Sequence, residues 1–155
     1  MISNFRYQLA LLFIVVMLSS CATNYQLAQN KLTFEDGIDI EMKKVQTMGQ
    51  QSAWGGSYVA PRKHTFVQIS LLITNKLSTD QKIDLTKFWL INPETKTKYP
   101  VAKIYQTTTL AIGGRDELKL KAGENASRIL MFTYPEKLRP DFLEVNGTLH
   151  TIAYN

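Results

Sequence analysis

The sequence is poor in the residues from which catalytic and metal sites are usually built. It holds one cysteine and two histidines in 155 residues. A single cysteine cannot close an internal disulfide, and it cannot build a thiolate metal cluster. His64 and His150 stand far apart, in neither His-x-His nor His-x-x-x-His spacing, and no Gly-x-Ser-x-Gly elbow accompanies the serines. Asp36-Gly37-Ile38-Asp39 sets two carboxylates at a turn, too few for a calcium ion that takes about six to eight oxygens. No metal, no cofactor and no catalytic residue is therefore expected. Also missing is an apolar run of about twenty residues, the length of a membrane-crossing helix. After residue 21 no segment keeps a helical period over three turns. The basic residues are scattered in pairs such as Lys43-Lys44 and Arg62-Lys63 rather than gathered among aromatics, which argues against nucleic acid as a partner.

What is present has the composition of one globular domain, with 45% hydrophobic and 20% charged residues. The formal net charge is +5. Arg6 is the only charged side chain ahead of Cys21, so removal of that segment takes away one positive charge. Residues 9–18 form an apolar core of about ten residues, too short to span a bilayer and suited to the middle of a signal peptide. It ends in Leu18-Ser19-Ser20-Cys21, which resembles the bacterial lipobox: an aliphatic residue, two small residues and a cysteine. The resemblance implies that the Cys21 thiol receives a diacylglyceryl group and that the chain is cut before it. Two or three acyl chains anchor a protein stably where one does not. Residues 1–20 are thus expected to be a lipoprotein signal peptide, 21–31 a lipidated tether and 32–155 the folded domain. Ala22 stands where an aspartate commonly retains lipoproteins in the inner membrane. The expected location is the cell envelope, on the periplasmic face of the outer membrane if the host has two membranes.

The domain reads as short strands. Val67, Ile69, Leu71 and Ile73 alternate with Gln68, Ser70 and Thr74, which predicts a strand with one buried and one solvent face. Ile38, Ile40 and Met42 mark an earlier strand. Residues 83–91 change apolar phase near Thr86, as at a bulge or a corner between sheets. Asn92-Pro93-Glu94-Thr95 has turn chemistry, and Asn146-Gly147 between apolar runs predicts a type I′ hairpin. Residues 129–134, apolar on both faces, read as a central strand. The expected fold is all-β, an antiparallel sandwich of seven or eight strands.

The succession Phe66-Val67-Gln68-Ile69 to Thr74-Asn75, Phe88-Trp89-Leu90-Ile91-Asn92 with Tyr99-Pro100-Val101, Leu120-Lys121-Ala122-Gly123-Glu124, Leu130-Met131-Phe132-Thr133-Tyr134-Pro135 and Phe142-Leu143-Glu144-Val145 resembles a family of immunoglobulin-like domains of unknown function in bacterial lipoproteins. Secreted mycobacterial immunoprotective antigens share that fold. The resemblance covers about residues 31–154 and departs from the family pattern where Ala122 replaces a proline before the turn glycine. It implies fold and anchoring, and it carries no catalytic residues.

Residues 49–62 make a long loop by this reading, with Trp54 and Tyr58 around Gly55-Gly56 and with Arg62 at its end. Large amphipathic rings and a guanidinium fork suit a contact surface. Trp54, Tyr58 and Arg62 are accordingly the candidate partner-binding residues of a non-catalytic binding or assembly module. Its expected partner is an envelope protein or a cell-wall component. The alternative is an envelope-polymer hydrolase whose carboxylates, among them Asp36, Asp39, Asp116 and Glu117, are brought together by folding.

Overall fold

The computed structural model describes residues 22–28, 31–53, 56–106 and 114–155. Cys21 and Trp54 lie outside the described residues. Among those described there are thirteen strands, more than the seven or eight expected, and the fold is an antiparallel β-sandwich. They are β1 Thr23–Tyr25, β2 Lys31–Glu35, β3 Ile38–Met48, β4 Gln50–Ala53, β5 Gly56–Val59, β6 His64–Asn75, β7 Gln81–Asp84, β8 Phe88–Ile91, β9 Lys98–Tyr105, β10 Glu117–Leu120, β11 Asn125–Pro135, β12 Phe142–Val145 and β13 Thr148–Thr151.

Hydrogen bonding joins β1-β3-β6-β11-β9-β8-β12-β13 into one sheet, with β2 also on β3, and this sheet bends round its own core. β9 makes the bend: residues 101–105 pair with β11, whereas 98–100 pair with β8. β7 and β10 form a separate ribbon that contributes Ile83, Leu118 and Leu120 to the core.

Alternation places the inner side chains. Val67, Ile69, Leu71 and Ile73 are all buried, as the period of two requires. Ile38, Ile40 and Met42 point inward from β3, and a bulge between Met42 and Lys44 shifts the phase so that Val45 continues the buried face. The phase change near Thr86 is a corner: a 3-10 turn, Leu85–Lys87, carries the chain from β7 into β8. The Asp84 carboxylate caps that turn, accepting from the Thr86 amide at 3.0 Å. Asn92 Oδ1 accepts from the Glu94 amide at 2.9 Å and closes the β8–β9 hairpin. Asn146 and Gly147 have φ of 49° and 84°, the left-handed pair of a type I′ turn.

Part of the segment expected as a tether, residues 21–31, pairs with the sheet. Thr23, Asn24 and Tyr25 pair with Thr47, Gln46 and Val45, and Leu27 bridges Tyr154. Nothing in this polar stretch alternates, because an edge strand is held by backbone hydrogen bonds rather than by a buried face. The Tyr25 ring also packs on Tyr154 at 5.1 Å.

Candidate functional site

The expected loop at residues 49–62 is a ribbon. β4 and β5 pair Gln50 with Val59, Gln51 with Tyr58 and Ser52 with Ser57, and its base is closed by the Ala60 amide donating to the Gly49 carbonyl at 2.8 Å. Residues opposite one another share a face. Gln51 and Tyr58 therefore turn toward the main sheet, while Gln50, Ser52, Ser57 and Val59 turn away from it.

The ribbon folds back over the outer face of the sheet. Across five strands that face presents one row in register: Asn24, Gln46, Gln68, Met131 and Lys103. The adjacent row is Lys44, Ser70, Ile129 and Tyr105. Three amides are linked. Gln46 Nε2 donates to Gln68 Oε1 at 2.6 Å, and Gln68 Nε2 donates to Gln51 Oε1 across the sheet-to-ribbon gap. Gln51 Nε2 in turn donates to the Ser52 carbonyl at 2.6 Å. The Lys103 ammonium sits 3.0 Å above the centre of the Tyr58 ring. Beneath lies a second apolar cluster of Phe66, Tyr105, Ile129 and Met131, with Met48 and Ala60 at its margin.

Gln68 is thus a correction to the sequence reading. Its alternation assigns it to solvent, but the ribbon covers it and leaves it 2% exposed. Gln68→Ala would strand a buried amide oxygen on Gln51 and a donor on Gln46. The expected loss of unfolding free energy is about 1–3 kcal/mol, against less than about 0.5 for Gln81→Ala on the separate ribbon. Urea denaturation of the two variants checks this, and equal small losses would mean that the ribbon does not seal this face.

The Tyr105 hydroxyl is buried with no hydrogen-bond partner among the described residues. Burial first, and the neighbouring Tyr58 second, push its pKa above the ordinary tyrosine value. It stays a neutral donor. Between ribbon and sheet lies a concavity of about 380 Å³ lined by Lys44, Gln46, Gln51, Gln68, Ser70 and Ile129, among others. No carboxylate lines it among the described residues. Amides, one ammonium and an apolar floor can hold a polar or anionic group, but they supply no acid-base pair.

The candidate residues are only partly gathered here. Tyr58 lies on the inner side of the ribbon against Lys103, whereas Arg62 is exposed in the turn beyond its base, where its carbonyl lies 3.0 Å from His64 Nδ1. Gly114 stands beside Ile104, next to Tyr105, and its amide donates to the Ile104 carbonyl at 2.7 Å. Sequence reasoning missed Gln46, Gln68, Lys103 and Tyr105. Their only signal is position on the outward side of strands, which ordinarily means solvent.

The carboxylates of the alternative reading fall in two places. Asp36 and Asp39 line a concavity of about 520 Å³ beside β2 and β3, which takes in neither Asp116 nor Glu117. Asp39 pairs with Lys76 at 2.5 Å, Glu41 with Lys43 at 2.7 Å, and Glu35 accepts from Asn146 Nδ2 at 2.8 Å. Glu117 lies opposite Asp84 on the β7–β10 ribbon. Among the described residues no group of three or more His, Cys, Asp and Glu side chains could hold a metal ion.

No protein-family description and no curated protein matches the chain. Solved structures do share its fold. An uncharacterized β-sandwich protein from Clostridium difficile 630 superposes with a TM-score of 0.56 at 11% identity, over 85% of this chain and 94% of that one. A conserved hypothetical protein from Bacillus anthracis gives a TM-score of 0.58 at 15% identity, over 84% and 96%. A functionally unknown protein from Listeria monocytogenes EGD-e gives 0.51 at 12% identity, over 81% and 75%. At these identities the likeness shows the β-sandwich fold and nothing finer.

Proposed function

We propose that the protein is a lipid-anchored component of a bacterial envelope, acylated at Cys21, whose β-sandwich is a non-catalytic binding or assembly module. The observation that carries the binding part is the β4–β5 ribbon laid over the sheet, with the buried amides of Gln51 and Gln68 linked between them and Tyr58 45% exposed beneath the Lys103 ammonium. A ribbon pinned by polar contacts offers neutral hydrogen-bonding groups and one aromatic ring, a composition suited to contact with an envelope protein or a cell-wall polymer. The concavity under the ribbon has no carboxylate in its lining, so the role placed there is one of binding. The lipobox pattern and the resemblance to immunoglobulin-like domains of bacterial lipoproteins support the anchor.

Photocrosslinking in cells tests this reading. A photoreactive residue at position 54, between β4 and β5 in the sequence, is expected to trap a discrete partner, while the same residue at Leu149, exposed on β13, is not. Identical adducts from the two positions would remove the ribbon as the contact surface.

A further inference from the structure

We infer that the end of the sandwich at which β1 begins is a membrane-contacting face, seated on anionic lipid head groups through Arg62 and Lys63. This rests on the acylation at Cys21 proposed above, and it adds an orientation to it.

The geometry starts from the short sequence distance between Cys21 and β1. Only Ala22 separates Cys21 from Thr23, the first residue of β1. Two residues of extended chain reach about 7 Å, so acyl chains on Cys21 hold Thr23 close to the bilayer surface. Thr23 pairs with Thr47, and Thr47 with Val67. The parts of the fold around that end are therefore the end of β3, the base of the β4–β5 ribbon, the start of β6 and the end of β11.

What those parts expose suits an anionic interface. Val59, at the base of the ribbon, is 70% exposed, the most exposed of the large apolar side chains among the described residues. Next comes the turn at residues 61–64, held by the His64 amide donating to the Pro61 carbonyl at 2.9 Å. It carries Arg62 and Lys63, both exposed. The Lys63 carbonyl accepts from the Glu136 amide at 3.1 Å, which fastens this turn to the one after β11, where Lys137 is also exposed. Arg62, Lys63 and Lys137 form no ion pair among the described residues, and of the two acidic residues between β11 and β12, Glu136 and Asp141, the second is paired with Arg139. Unpaired cations within a Debye length of anionic head groups are attracted to them. The acidic β2–β3 turn, with Glu35, Asp36 and Asp39, lies at the other end of β3, roughly 30 Å along the strand. The ribbon runs from its base away from the anchor, so this orientation leaves its concavity open to the side.

The experiment uses the full acylated protein in vesicles. Acylation consumes the thiol of Cys21, so Val59→Cys or Leu77→Cys supplies the only free thiol for a nitroxide label. Leu77 is 36% exposed and lies beside Gly37 at the far end. In vesicles of phosphatidylglycerol and phosphatidylcholine, the label at 59 is expected to be at least about threefold less accessible than that at 77 to a water-soluble paramagnetic relaxant. Adding Arg62→Glu and Lys63→Glu, or omitting the phosphatidylglycerol, should restore its access. Equal accessibility at 59 and 77 in protein that floats with the vesicles would overturn the orientation alone. Shielding that survives charge reversal would overturn the role of Arg62 and Lys63. Protein that fails to float would overturn the anchor, and the orientation with it.

Discussion

Phe88→Ala is expected to lower the unfolding free energy by about 3–5 kcal/mol, read from urea denaturation of the folded domain. Phe88 is the first residue of β8, delivered to the core by the 3-10 corner, and it is fully buried. Its ring stacks on Phe34 from β2, 6.4 Å between centroids and 12° from parallel. The side chain thus joins the β8–β12 part of the sheet to the strand hydrogen-bonded to β3 on the opposite wall. Removing it empties a volume that flanking strands, fixed by ladder hydrogen bonds, cannot collapse to fill. Lys87→Ala, one residue earlier and exposed, should cost less than about 0.5 kcal/mol. A loss below about 1 kcal/mol for Phe88→Ala would mean that the two walls do not meet at this ring.

The second large effect is on attachment. Cys21→Ser should abolish fatty-acid incorporation and leave the protein soluble or as an uncleaved precursor, because the thioether needs the sulfur nucleophile and a hydroxyl does not replace it. Metabolic labelling with a clickable fatty acid, followed by fractionation, is the measurement. The melting temperature of the domain should not change, since the described strands begin at Thr23. Equal labelling of variant and parent would end the lipoprotein reading.

Much of the sandwich was legible because its inner face obeys a simple rule. Val67 to Ile73 alternate, Asn146-Gly147 can accept left-handed backbone, and the phase slip near Thr86 had to be a corner or a bulge. What could not be read was anything whose burial comes from a distant segment. Gln68 looks solvent-facing until the ribbon folds over it, and no local pattern announces that covering. The ribbon itself, Gln50-Gln51-Ser52 and Gly56-Ser57-Tyr58, has no apolar alternation, so its pairing is invisible to periodicity. β1 is hidden for the same reason. Of the candidate binding residues, Tyr58 proved to be part of a packed arrangement with Lys103, while Arg62 belongs to a different part of the surface.

The short first strand also has a mechanical consequence. If the chain is held at Cys21 and a bound partner pulls on the body of the domain, the load enters along the axis of β1. β1 lies antiparallel against β3, with the Asn155 amide donating to the Gln26 carbonyl at 3.0 Å just beyond it. Force along a strand shears its rungs together, whereas force across it would open them one at a time. Ala153, Tyr154 and Asn155 share that load with β1 and the residues after it, so removing Asn155, whose amide supplies the last of these bonds, should make the domain easier to strip from its anchor under tension.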